Sequence, residues 1–270
     1  MSAPLCWLNG GLLPVQQAQI DPSDRGFTLG DGVFETISVR RGAMMHMGRH
    51  LARMERGSSL LGLRCPWPDE AIGRGAADIV RASGQGFGSV RLTLTRGPAA
   101  RGLAPGADPA PTLLIAWSEP SARPAAVTAM ISRVTRRNDL SPLSRIKSLN
   151  YLDSVLAMAE AARNGMQDCV LLNTVGRVAC AAGANVIALR GARLVTPPVG
   201  DGALPGIARG ILIERSGVIE ATLSPGELHT AEAVVLTSSL WVRQVSQLDD
   251  TTYAPAPELV ARLRQTIETA

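Results

Sequence analysis

Apolar and polar residues alternate cleanly along Ser89-Val-Arg-Leu-Thr-Leu-Thr95, the pattern of a strand with one buried face. Phe34 to Val39 and Pro111 to Trp117 read as further strands. CWLNGGLLP reads as strand and turn, with Asn9-Gly10-Gly11 at a hairpin tip. His50 to Gly62 carries Leu51, Met54, Leu60 and Leu61 at roughly helical spacing, and Pro68 to Ala82 reads as a second helix. The polar, proline-rich stretch Ser118 to Pro124 reads as a linker. Beyond it the pattern predicts a strand over Val127 to Val134 and a helix from about Ser148 to Asn164. Strands follow at Asp168 to Asn173, Arg177 to Ala179 and Asn185 to Leu189. Then come a helix over Gly206 to Ser216, a short turn over Glu227 to Thr230, a strand over Val234 to Thr237 and a terminal helix over Pro257 to Glu268. No internal repeat is visible. The expected architecture is α+β in two domains, residues 1–117 and 125–270 joined by 118–124, with the cleft between them as the default place for a site.

Composition narrows the class. A chain of 270 residues, 46% hydrophobic and 19% charged, is ordinary globular protein. No apolar run approaches the length of a membrane span, and the first residues lack the basic and apolar regions of a signal peptide, so the expectation is a soluble cytoplasmic protein. The net charge of +4 is carried by arginines scattered along the chain, with no basic run interleaved with aromatics, so a nucleic-acid partner is not expected. Guanidinium groups also suit small anions bearing carboxylate or phosphate. Cys6, Cys65, Cys169 and Cys180 form no CxxC pair, and His46, His50 and His229 are not spaced to complete a metal site. Reduced thiols and no metal are expected.

One residue stands out. Lys147 is the only lysine, against 26 arginines among the 27 basic residues. A lysine at the start of an apolar helix is usually a solvated surface residue. A chain that otherwise uses arginine nevertheless keeps one primary amine, and a desolvated amine can capture an aldehyde cofactor or a carbonyl substrate, which guanidinium cannot do.

The ordered segments DRGFTLGDGVFETI, HLARM, RIKSLNYLDSVLAMAEA, LLNTVGRVACAAGANVIAL and LVTPPVGDGALPGIARG resemble the fold type IV pyridoxal-phosphate enzymes, over about Cys6 to Asp250. That family includes branched-chain and D-amino-acid aminotransferases and aminodeoxychorismate lyase. The resemblance implies a small N-terminal α/β domain, a larger β-barrel-like cofactor domain with helices, a homodimer, and pyridoxal 5'-phosphate carried on Lys147. It implies that Arg53 holds the cofactor phosphate and that Tyr151 bonds the ring's phenolic oxygen. Gly206, Ile207 and Ala208 would offer helix N-terminal N–H groups to the phosphate, with Ser238 and Ser239 of LTSSL nearby. Arg96 to Leu103 resembles the RG…RG loop of the lyases and some transaminases, making Arg101 a clamp for a substrate carboxylate, with Arg96 and Phe34 also at the substrate. Thr36 would orient a proton transfer, and Glu35 beside it would be structural.

The chain departs from the family at one wall of the pocket. Where members carry Glu-x-Ser/Thr-x-x-Asn, this chain reads Cys180-Ala-Ala-Gly-Ala-Asn185, keeping the asparagine but not the acid, and Ala208 replaces a common threonine. A carboxylate beside the pyridine nitrogen stabilises its protonated form, and that form is the electron sink. A thiol that ionises near pH 8.5 or above cannot do this. Three readings follow. A lyase acting on a chorismate-derived substrate, making 4-aminobenzoate for folate, is helped by aromatisation of its product. An aminotransferase acting on amino acids is penalised in both half-reactions. A degenerate, non-catalytic paralogue would need no sink.

Overall fold

The computed structural model describes residues 4–106, 109–121 and 124–270; Ala122 and Arg123 of the expected linker lie outside them. Two compact units form, one of Met1–Ala122 with Ile146–Asn150, the other of Arg123–Arg145 with Tyr151–Ala270. The expected assignment of everything from 125 onward to the second domain is corrected by the five residues 146–150, which belong to the first unit.

The first unit is a six-stranded sheet. β1 (Leu5–Leu8) and β2 (Gly11–Pro14) form a hairpin whose two loop residues, Asn9 and Gly10, both have positive φ, as a tight primed turn requires. After α1 (Arg25–Leu29) come β3 (Gly32–Arg40) and β4 (Ala43–Met44), helices α2 (Met47–Leu60) and α3 (Asp69–Ser83), then β5 (Phe87–Thr95) and β6 (Thr112–Ser118). The sheet order is β2-β1-β6-β5-β3-β4. Its core is the alternate residues of the long strands, Val33, Ile37, Val90, Leu92, Leu94, Leu113 and Ile115, with Leu51 and Met54 of α2 and Ile72, Ala76 and Ile79 of α3. Gly75 lets α3 lie against Trp7, since a Cβ there would stand 2.7 Å from the indole nitrogen.

The second unit holds β7 (Ala126–Ile131), α4 (Leu152–Arg163), β8 (Asp168–Leu172), β9 (Val178–Ala181), β10 (Asn185–Arg190), β11 (Arg193–Thr196), α5 (Ile207–Ser216), β12 (Ile219–Glu220), α6 (Pro225–His229), β13 (Ala233–Thr237), β14 (Val242–Leu248), β15 (Thr251–Thr252) and α7 (Pro257–Glu268). The strands run β12-β11-β10-β13-β14-β7-β8-β9, with β15 on β14. End strand β9 lies five places from β10 in the sheet but only three residues from it in sequence, and Ala181 N–H reaches Ala184 O at 2.9 Å. The sheet therefore curls. Small residues fill its concave side, Val127, Ala129, Val170, Val178, Ala181, Val186, Ala188, Val234, Leu236 and Val245 among them. On another face, α5 and α7 close over Ile187, Leu194, Val235 and Val242.

The predicted helix from Ser148 is also corrected. α4 starts at Leu152; before it Ile146 and Lys147 form a turn, Ser148 bridges Val33, and Leu149 to Tyr151 stay outside the helix.

Candidate active site

Lys147 stands on the strap 146–150, which runs along β3. Phe34 N–H donates to Lys147 O at 2.9 Å and Leu149 N–H to Gly32 O at 3.0 Å. Gly32 is required for this approach, because a Cβ would fall 2.3 Å from Leu94 O and 2.9 Å from Leu149 Cδ1. The half-buried Lys147 side chain places Nζ 4.2 Å from the centre of the Phe34 ring. Alternation along β3 puts Phe34 and Thr36 on one face. Arg91 faces Thr36 in register on β5, and its guanidinium lies 3.8 Å from the same ring. Lysine, phenylalanine, threonine and arginine thus share one corner. Arg91 was not singled out from the sequence. The signal was its register with Thr36, which needs the strand pairing to be known.

Glu35 points the other way, and is fully buried. It accepts from Arg53 Nε at 2.8 Å and Nη2 at 2.6 Å, and from His50 Nδ1 at 2.6 Å. Burial alone would push the Glu35 carboxyl up, but the hydrogen bonds and charges of Arg53 and His50 together hold it below the ordinary range. Burial pushes His50 down against the pull of Glu35, so the ring is neutral and Nδ1–H is the donor. Arg53 is therefore a buried, oriented fork. Its Nε–Nη2 edge is committed to Glu35.

The two arginines of the 96–103 segment part company. Arg101 is exposed on its loop. Arg96 is buried and donates to Asp31 at 2.8 and 3.1 Å and to the carbonyls of Leu61 and Gly62. Its guanidinium is committed inside the unit, which removes Arg96 as a substrate contact.

In the second unit, Tyr151 occupies the N-cap position of α4 and is half-buried. Cys180 is opposite Leu171 on β9, where the ladder shifts register and Ala179 becomes the extra residue. This bulge places Ala179 and Cys180 together in a cluster with Met130, Ala157, Ala161, Cys169 and Leu171, on the side covered by α4. Burial pushes the Cys180 thiol up, with Arg137 opposing and Asp168 reinforcing. The group is neutral near pH 7. Asn185 Nδ2 donates to Leu204 O at 2.9 Å, which ties β10 to the loop before α5. Gly206 follows, where a Cβ would meet Asn185 Oδ1 at 2.0 Å. α5 has no side-chain cap, so the N–H groups of Ile207 and Ala208 open the helix uncapped. Ser238 and Ser239 lie half-buried in the turn after β13, Ser238 Oγ accepting from Leu240 N–H. Beside them Thr237, opposite Asn185 in the ladder, is fully buried and its Oγ1 has no hydrogen-bond partner. A buried donor without a partner is costly. Thr237 was also not singled out from the sequence, although it begins TSSL.

The family model for amino-transferase class IV matches residues 32–248. The chain belongs to the class IV aminotransferase family. A putative branched-chain-amino-acid aminotransferase of Methanocaldococcus jannaschii is 30% identical over 240 residues, 86% of this chain and 83% of that one. The structure of 4-amino-4-deoxychorismate lyase from Pseudomonas aeruginosa superposes with a TM-score of 0.84 and 30% identity, covering 98% of both chains. The branched-chain amino acid aminotransferase of Thermoproteus uzoniensis with norvaline shares the fold at a TM-score of 0.90 and 23% identity, over 99% of this chain and 93% of that one. The architecture is that of the fold type IV enzymes, the chain is an enzyme, and the family's cofactor is pyridoxal 5'-phosphate. The residues present fit a phosphorylated group: the uncapped N–H groups of α5, and the partnerless buried hydroxyl of Thr237, whose ladder partner Asn185 bonds the loop before that helix.

Proposed function

We propose that this enzyme is a lyase of the 4-amino-4-deoxychorismate type, releasing pyruvate to leave 4-aminobenzoate for folate synthesis. Cys180 carries the reading: a neutral, buried thiol stands where an acid would charge the cofactor's ring nitrogen. Bound pyridoxal phosphate supplies an aldehyde for an amine to capture and a ring that withdraws electrons. Around it, Lys147 holds the cofactor and moves the proton, with Thr36 orienting the transfer. Arg53, Gly206, Ile207, Ala208, Ser238 and Ser239 hold the phosphate. Tyr151 bonds the phenolic oxygen, and Cys180 and Asn185 flank the ring. Phe34 and Arg101 meet the substrate, Arg101 at its carboxylate, and Arg91 adds a second cation at the corner with Thr36. The similarity to the Pseudomonas aeruginosa lyase over the whole chain supports the same reading. Incubation with 4-amino-4-deoxychorismate should release pyruvate and 4-aminobenzoate in equal amounts. Failure to do so, with rapid conversion of the bound cofactor to its amine form by branched-chain amino acids, would establish the aminotransferase reading, which the Methanocaldococcus jannaschii relative favours.

The thiol makes a separate prediction. Cys180→Glu should accelerate that amine-forming half-reaction, because the new carboxylate supplies the missing charge. Without cofactor the same variant should melt at lower temperature, since the acid lies among apolar side chains. A folded, cofactor-loaded variant with no gain in rate would remove Cys180 from the ring nitrogen.

We also propose a cytoplasmic homodimer. Leu152, Val155 and Leu156 line one exposed face of α4, at 75, 57 and 51% exposure, while Ala157, Glu160 and Ala161 on the opposite face are buried. An apolar stripe of this kind marks an interaction surface. Leu156→Glu should convert a dimer to a 28.4 kDa monomer in sedimentation; an unchanged dimer would place the interface elsewhere. All four cysteines are unpaired, as suits a reducing compartment, and no helix among the described residues is long and apolar enough to cross a membrane.

A further inference from the structure

The motif DRGFTLGDG is prominent in the sequence, yet apart from Gly32, which admits the Lys147 strap, none of its residues has a place in the proposed chemistry. In the structure it fastens a loop. Arg25 is buried at 5% exposure. Its Nε donates to Asp31 Oδ2 at 2.8 Å, and the same carboxylate is shared with the buried Arg96. The far side of the guanidinium reaches three successive carbonyls: Nη1 to Gly102 O at 3.0 Å and, at the outer limit, to Ala104 O at 3.4 Å, and Nη2 to Leu103 O at 2.8 Å.

The near end of the loop is held by backbone. Arg25 N–H donates to Gly97 O at 2.9 Å and Ala99 N–H to Ser23 O at 3.3 Å, and Asp24 bridges Pro98. Gly97 must be glycine, since its φ is +84° and a Cβ would fall 1.7 Å from Ala110 O. Arg101 therefore sits between two fastenings, backbone at 97–99 and the Arg25 fork at 102–104. Side-chain burial does not hold this crest. Every residue from Ala100 to Gly106 is exposed, Leu103 at 83%. A loop without buried side chains is mobile unless its backbone groups are tied, and a mobile loop cannot hold a cation in place for a carboxylate.

We infer that Arg25 is a positioning residue for substrate recognition, holding the 97–104 loop so that Arg101 meets the substrate's carboxylate. This rests on the assignment of Arg101 as the clamp. Asp31 is the counter-charge that allows Arg25 to be buried while its fork faces the loop.

The test uses the cofactor-loaded enzyme, with 4-aminobenzoate and 2-oxo-4-methylpentanoate as carboxylate probes. Arg25→Lys keeps a charge for Asp31 but cannot span three carbonyls. It should speed amide hydrogen exchange across 101–106, weaken probe affinity roughly tenfold, and leave the cofactor's absorption spectrum unchanged. Gly102→Ala disturbs the same fastening without touching Arg25. Its Cβ has open space, but its φ of +139° resists a side chain, and it should give the same pattern if Arg25→Lys fails to fold. Arg101→Gln should weaken the probes about tenfold to a hundredfold, and Arg25→Lys should add nothing in that background. Unchanged exchange or affinity in both loop variants, or fully additive losses in the double variant, would overturn the inference. If the wild type binds neither probe, or Arg101→Gln leaves affinity unchanged, the clamp itself fails. Faster exchange alone would then give Arg25 a purely structural role.

Discussion

Lys147→Arg is expected to abolish turnover, with a loss of roughly a thousandfold or more. Guanidinium keeps the positive charge beside the Phe34 ring but cannot form the covalent link to an aldehyde. The fold should survive, because the strap is held to β3 by backbone hydrogen bonds from Phe34 and Leu149 that do not involve the side chain. The effect is therefore separable from unfolding. Borohydride reduction of the wild type followed by peptide mass spectrometry should place a pyridoxyl group on Lys147, the chain's single lysine. The variant should melt at the wild-type temperature without cofactor and carry no label. A wild type that is saturated with cofactor yet unlabelled at Lys147 would dismantle the proposed chemistry.

The second large effect lies at Glu35, which chemistry on the substrate does not use. Glu35→Gln keeps the shape but leaves the buried Arg53 guanidinium without its counter-charge. Breaking such a pair costs about 3–5 kcal/mol, on the order of 10 °C in melting temperature for a unit of this size. Cofactor affinity should fall as well, because the Arg53 fork loses the bidentate partner that aims it. Arg53→Ala should weaken cofactor binding roughly tenfold to a hundredfold. A Glu35→Gln protein with wild-type stability and wild-type cofactor affinity would show that the pair orients nothing.

The same cluster sets an acid limit. His50 has its folded pKa depressed by burial, so the unfolded chain takes up that proton first as pH falls. Glu35 is also depressed, so its contribution is complete above the unfolded carboxylate pKa and is lost as pH falls through the folded value. Both signs agree. Stability should begin to decline below about pH 6.5, where an unperturbed histidine titrates, and fall further below about pH 4.3. In His50→Asn the first of these two phases should disappear from a pH series of melting curves.

The sequence by itself determined the elements whose signal is local. Alternation along 89–95 marked β5, and helical spacing with a proline start marked α7 over the same Pro257–Glu268 that the structure shows. The lone amine and the ordered motifs marked Lys147 and the family, because residue chemistry does not depend on the fold. What remained hidden depends on partners far away in the chain. Lys147 lies in a turn outside the helix, its carbonyl held by Phe34 N–H from more than a hundred residues earlier. β11 and β14 are strands through their ladders with β10 and β13. Cys180 faces α4 because of a one-residue bulge against β8, and a strict two-residue period would have put it on the other face. Arg96 and Arg101, alike in sequence, were separated by Asp31, which buried one and left the other exposed. Periodicity records which face of an element is covered. Only the tertiary structure decides what covers it, because the covering group comes from elsewhere in the chain.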